Sequence, residues 1–168
     1  MRLIGIVATA VALFGVAGIH SQTVVPVQQD VIDLSKAVFE GDIDTIVRFT
    51  HPAVIELAGG EDALRRTLKD AVQTFASAGM KLESLKFPSP PTFLEGGGRR
   101  FVIVPTLGMT LVNGQRVESL SFQIGSFDAA ASQWKYIEGS RVNADNVQRL
   151  FPGFPQDFEF PSIYRKRL

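Results

Sequence analysis

Apolar side chains recur at Val27, Val31, Leu34 and Val38, with Gln28, Asp30, Asp33 and Lys36 between them. Steps of three and four residues place such a stripe on one side of a helix, so this segment predicts a one-sided amphipathic helix. Gly41 can take the left-handed conformation that ends it, and Asp42 is a ready N-cap for a short second helix over Ile43–Phe49. Pro52 disfavours helical geometry at His51 and stops that helix. Gly59-Gly60 then opens a third helix, in which Leu64, Leu68, Ala71, Val72 and Phe75 share one face before Gly79. Glu61 with Arg65, and Asp62 with Arg66, form favourable i,i+4 pairs in its first turns.

Beyond Gly79 the period falls from 3.6 to 2. Lys81–Phe87 predicts a strand, which Pro88, Pro90 and Pro91 terminate, and Phe93–Glu95 a second short one. Gly96, Gly97 and Gly98 make a loop, and a long strand covers Phe101–Leu111. Asn113-Gly114 is a two-residue hairpin signal, because both residues tolerate positive φ. The partner strand, Arg116–Phe127, sets Leu120, Phe122 and Ile124 on one face and Ser119, Ser121 and Gln123 on the other. After a turn over Asp128–Ser132, Gln133–Glu138 makes the last strand, with Trp134 and Tyr136. A short helix over Ala144–Leu150, capped by Asn143, precedes a tail that alternates Phe with Pro. Proline opposes regular structure there while the aromatic rings require burial, so residues 153–168 are expected as an extended strap across the domain.

The strand Phe101–Leu111 reads as apolar on both sides: Phe101, Ile103, Pro105, Leu107, Met109 and Leu111 on one, Val102, Val104 and Thr106 on the other. A strand of this kind is buried on both faces. One cover is the helices. The second is either another subunit, giving a homodimer through the sheet, or the Phe-Pro tail.

The N-terminus adds an address. Leu3–Ile19 is apolar except for Thr9, preceded by Arg2 and followed by the small residues of a cleavage site. This is the layout of a secretory signal over residues 1–21, which predicts an exported, periplasmic or secreted protein. If uncleaved, the same run approaches the roughly 20 residues of a membrane anchor. The chain holds no cysteine, which excludes lipoprotein anchoring, disulfides and thiol chemistry. Seventeen basic residues balance seventeen acidic ones, which leaves no field to attract nucleic acid. With 168 residues, 45% of them hydrophobic, the chain has the size and composition of one folded domain, placed over residues 22–152.

Helices followed by a meandering antiparallel sheet give an α+β order, and Phe39–Leu68 carries a helix ending in Gly-Asp, a short helix, an extended stretch and then the long helix. In this order, over roughly residues 27–140, the chain resembles the nuclear transport factor 2-like superfamily. The closing stretch Trp134-Lys135-Tyr136-Ile137-Glu138-Gly139-Ser140 looks like uncharacterised exported bacterial members. The resemblance implies a cone-like curved antiparallel sheet of four to six strands, with three N-terminal helices on its concave face and a pocket between them. It implies Phe39, Ile55, Phe75, Leu107, Phe122 and Trp134 as ligand-lining residues.

The chemistries of the superfamily's enzymes do not transfer. Ketosteroid isomerases use a tyrosine on an early helix, whereas the tyrosines here are Tyr136 and Tyr164. Scytalone-type dehydratases need paired histidines, and beyond the signal only His51 is present. Limonene-type epoxide hydrolases need an Asp-Arg-Asp triad, and Asp128 sits in a turn.

His51 is the one candidate general base suited to neutral pH, set against a role in capping a helix end through a bond to a backbone carbonyl. Asp42 and Asp44 point apart on a helix. Glu56, Glu61 and Asp62 suit a helix start. No ligand set for a metal and no cofactor motif is apparent. The glycines before Arg99-Arg100 precede a strand rather than the helix a phosphate loop needs, and Arg165-Lys166-Arg167 reads as a solvated tail. The expected function is a non-catalytic binding module with an apolar pocket for a small ligand or a partner segment. The alternative is a lyase or isomerase using His51 or a pocket carboxylate as base.

Overall fold

A computed structural model describes residues 19–168. Residues 1–18, which carry most of the export signal read from the sequence, lie outside the described residues. Four helices come first: α1 (Ile19–Glu40), α2 (Ile43–Phe49), α3 (Pro52–Leu57) and α4 (Glu61–Ser77). The strands β1 (Lys81–Lys86), β2 (Thr92–Gly96), β3 (Arg99–Val112), β4 (Gln115–Asp128) and β5 (Gln133–Glu138) follow. A 3-10 turn over Gly139–Arg141, the short helix α5 (Val147–Leu150) and β6 (Tyr164–Arg167) complete the chain. The fold is α+β, an antiparallel sheet of six strands that does not close, with helices mostly preceding it.

The β3–β4 hairpin is the spine of the sheet, turned at Asn113 (φ 49°) and Gly114 (φ 78°) as their tolerance of positive φ predicts. On one side β3 pairs first with β2 and then with β1; on the other, β4 pairs with β6 and then with β5. Residues 104–106 of β3 fall between the segments paired with β2 and β1. Pro105 sits in that gap, where a residue without an N–H interrupts no second ladder.

Three departures from the sequence reading have local causes. Among the described residues, four helices precede the sheet rather than three. The first addition is α3: Pro52 does end α2, but a proline also suits the first turn of a helix, and His51 caps that turn by accepting from the Ala53 amide at 3.2 Å. The second is β6, in the stretch read as a solvated tail. Past Pro161 the amide donors return, and β5 leaves the Val117–Leu120 edge of β4 free for Tyr164–Arg167 to pair with. Third, α1 is already helical at Ile19, the first described residue, and runs through Pro26 instead of starting at Val27.

The two faces of the sheet have separate covers. Val102, Val104, Trp134 and Tyr136 bury against Val27 and Val31 of α1 and Phe49 of α2. On the opposite face Phe101, Ile103, Phe122 and Ile124 bury against Val147, Leu150, Phe151 and Phe154, with Phe158 and Phe160 packed alongside. Phe160 stacks on Phe122 at 5.7 Å and Phe154 meets Phe101 edge-on at 5.2 Å. Residues named for a sheet-to-sheet dimer are thus covered within one chain: Val102, Val104 and Ile103 are buried, while Leu107 is half-buried. The strap lies close on the β2–β3 turn. A Cβ on Gly96 would run into the Gly153 carbonyl, and Gly153 itself holds φ +86°. Glycine at both positions permits this backbone-to-backbone approach.

Candidate functional site

Between the helices and their face of the sheet lies a cavity of about 800 Å³. Leu34, Val38 and Phe39 of α1, Val54 of α3, and Leu64 and Leu68 of α4 form its apolar wall. The opposite wall is polar. Thr106 and Thr110 come from β3, Ser119, Ser121 and Gln123 from β4, and Glu138 from β5. Cross-strand pairing fixes this floor: Thr106 lies opposite Ser121, and Gln123 opposite Glu138. At the rim stand Arg141, Arg149 and Leu57, the last 67% exposed.

Among the described residues, Glu138 is the one acidic side chain lining the cavity, and both of its oxygens are engaged. Oε1 accepts from the Ser121 hydroxyl, and Oε2 from the Ser140 hydroxyl and from the Ser140 amide at 3.0 Å. Tyr136, also on the cavity wall, donates its hydroxyl to Asp30 Oδ2 at 3.1 Å. Burial raises the pKa of both partners, and the Asp30 charge raises that of the Tyr136 phenol further, so the phenol stays protonated.

Of the six residues expected to contact a ligand, Phe39 lines the cavity. Phe75 stacks on Phe39 at 6.4 Å without itself lining the space, and Ile55 is half-buried on α3, also outside the lining. Leu107 and Phe122 project from the opposite face of the sheet, paired with Leu120 and Pro105, and Phe122 is under the tail. Trp134 is on the helix face but is packed with Phe93 and Phe127. The correction comes from strand parity. A period of 2 divides β3 and β4 into an apolar set and a hydroxyl-bearing set, and the Phe-rich tail takes the apolar set. The hydroxyl-bearing set, Thr106, Ser119 and Ser121, is therefore left to face the helices. The Phe content of the tail was the available signal, since those rings need the Phe-bearing side of the sheet.

His51 does not line the cavity. Its amide donates to the Tyr136 carbonyl at 3.0 Å, and its Nδ1 accepts from Ala53 instead of donating to a carbonyl as expected. The ring lies 4.6 Å from Phe151 and is 9% exposed. Burial, aided by the nearby Arg99 charge, lowers its pKa to about 4, so the imidazole is neutral at pH 7. Stability from this neutral ring is fully present above pH 6.5 and is lost as pH falls from 6.5 towards 4. The loss should reach about 3 kcal/mol at the acid end. His51→Asn keeps a capping acceptor and removes the titration. Urea unfolding at pH 7 and pH 4 should therefore show the wild type losing more stability on acidification than the variant. Parallel losses would remove His51 as the acid-sensitive group.

Three of the remaining candidate charges have structural partners, whereas the expected Asp62–Arg66 pair does not form among the described residues. Asp42 accepts from the Thr45 amide at 3.1 Å, as an N-cap should, and Arg65 joins Asp44 at 2.6 Å to Glu61 at 2.8 Å. Arg100 lies over the Phe127 ring at 3.9 Å. Among the described residues, no group of three or more His, Cys, Asp or Glu side chains gathers as a metal site requires, and no helix is long and apolar enough to cross a membrane. No family model, curated protein or solved structure matches the chain.

Proposed function

We propose that this chain is an exported, non-catalytic binding protein of the nuclear transport factor 2-like type, which holds a small and largely apolar molecule between its helices and sheet. The observation that carries the reading is the cavity itself. Its volume, about 800 Å³, falls within the roughly 300–1,000 Å³ of small-molecule sites. Its mixed lining suits a ligand with an apolar body and a few hydrogen-bonding groups. The carboxylate on its wall is engaged by two serines, and the imidazole that would serve as a base is turned elsewhere.

The test is a thermal-shift screen of the mature chain against apolar and amphipathic metabolites. A ligand at a hundred times its Kd contributes about 2.7 kcal/mol to the native state. For a domain of this size that corresponds to a rise of roughly 5–10 °C in Tm. Ala71 lines the cavity from α4, so Ala71→Trp should fill the space and abolish the shift. The reading fails if no compound raises Tm, or if Ala71→Trp responds as the wild type does.

A further inference from the structure

We infer that the ligand is an anionic amphiphile, an alkyl chain ending in a carboxylate or phosphate, whose charged head lies at the arginines on the cavity rim. The inference rests on the binding reading above and specifies its ligand. The two ends of the cavity differ in character. Towards α1, α4 and β1 the lining is mostly hydrocarbon and carries no charge, with Val38, Phe39, Leu68 and Leu85 beside Ser35 and Thr67. Towards the C-terminal segment it turns polar, and its two cations, Arg141 and Arg149, are both there.

These cations are uncommitted. Among the described residues, the ion pairs engage Arg65 and Arg116 and leave Arg141 and Arg149 free. Glu138, on the cavity wall, has its oxygens occupied by Ser121 and Ser140, and Asp145, four residues from each arginine in sequence, forms no ion pair with either. The strand β6 extends the positive field. Arg165 pairs with Ser119 and Arg167 with Val117, and paired residues of an antiparallel ladder share a face. Both arginines therefore stand on the same side of the sheet as the cavity floor, the Arg165 position directly beside a floor residue. Arg141 and Arg149 at the rim, with Arg165 and Arg167 on the same face of the sheet, outnumber Glu138 and Asp145 and make this end of the site cationic. A neutral or cationic ligand gains nothing from such an arrangement, whereas a carboxylate or phosphate gains charge-assisted hydrogen bonds and favourable long-range attraction.

Head and tail are separately testable. Calorimetric titration of the mature chain, below micellar concentrations, would compare dodecanoate, dodecyl phosphate, dodecanol and dodecyltrimethylammonium, with inorganic phosphate as a tail-less control. The anionic chains should bind about tenfold or more tighter than dodecanol, with the ammonium compound weakest. That advantage should shrink at about 1 M salt, where the screening length is only about 3 Å. The double variant Arg141→Gln, Arg149→Gln should lose the anion preference, with dodecanoate and dodecyl phosphate binding no tighter than dodecanol. Both side chains are exposed, so folding should be preserved, as unchanged circular dichroism would show.

Equal affinity for dodecanol and dodecanoate would overturn the inference but leave the binding reading standing. So would undiminished anion binding by the double variant. Inorganic phosphate binding as tightly as dodecyl phosphate would show a site for free anions and overturn the amphiphile. If no dodecyl compound binds, this inference falls. The wider screen, with its Ala71→Trp control, then decides whether the cavity takes any ligand.

Discussion

Deleting residues 153–168 is expected to turn a well-behaved chain into one that associates and unfolds early. Three phenylalanine rings leave with that segment, Phe154, Phe158 and Phe160, and they cover a face made by Phe101, Ile103, Phe122 and Ile124. At about 1.5–3 kcal/mol for each well-buried phenylalanine, and less for the half-buried ones, the loss is roughly 5 kcal/mol. That is a large share of the 5–15 kcal/mol that typically holds a domain together. The deletion also strips β6 from β4 and so opens an unpaired edge beside the bared apolar face. Light scattering on the chain from residue 22 onward, with and without residues 153–168, gives the mass of each, and urea unfolding gives the midpoints. A higher mass and a lower midpoint for the shortened chain are expected. If mass and midpoint are both unchanged, the tail is not a cover. A full chain at twice the single-chain mass would speak for the sheet-to-sheet pair.

Phe151→Ala should be the most damaging single truncation and should also change a titration elsewhere. Phe151 is 0% exposed and sits between the sheet and the helix connection, 6.2 Å from Phe101 and 4.6 Å from the His51 ring. Emptying such a site costs about 3–5 kcal/mol. The same ring helps keep water from His51, whose lowered pKa stems chiefly from burial. In the variant the imidazole should titrate closer to 6.5, which its ring-proton chemical shifts would follow by NMR. A large stability loss with an unmoved His51 pKa would show that other groups keep that ring dry.

The elements with strong periods were legible in the sequence. Val27, Val31 and the α4 face carry an uninterrupted helical stripe, and Asn113-Gly114 encodes its turn in two residues. Less legible were the elements whose signal has two meanings. His51-Pro52 ends one helix and starts the next, and a residue pair read for stopping does not also announce a beginning. β6 was hidden for another reason: four residues after a proline form a strand only because β5 stops short and leaves part of β4 unpaired, a fact about a segment some forty residues away. The site was the hardest part to read. Alternation along β3 and β4 defines two faces without saying which meets the helices. Choosing the more apolar one placed Leu107 and Phe122 in a pocket that Thr106, Ser119 and Ser121 line instead. What decides between the faces is the tail, whose phenylalanines claim the apolar side.

The strap has a consequence for how the chain comes into being. Synthesis runs from N- to C-terminus at about 5–20 residues per second, so several seconds separate the making of Phe122 and Ile124 from that of Phe158 and Phe160. A chain of this size collapses within about 100 microseconds. For those seconds the hairpin exposes a greasy flank with its own cover still unmade. A nascent chain in that state is a natural client for a holding chaperone, and a chain stalled or clipped short of Phe154 keeps that flank permanently on display. Arrival of the last aromatics is thus a chemical mark of completion, one that a protease or chaperone can read without recognising any particular sequence.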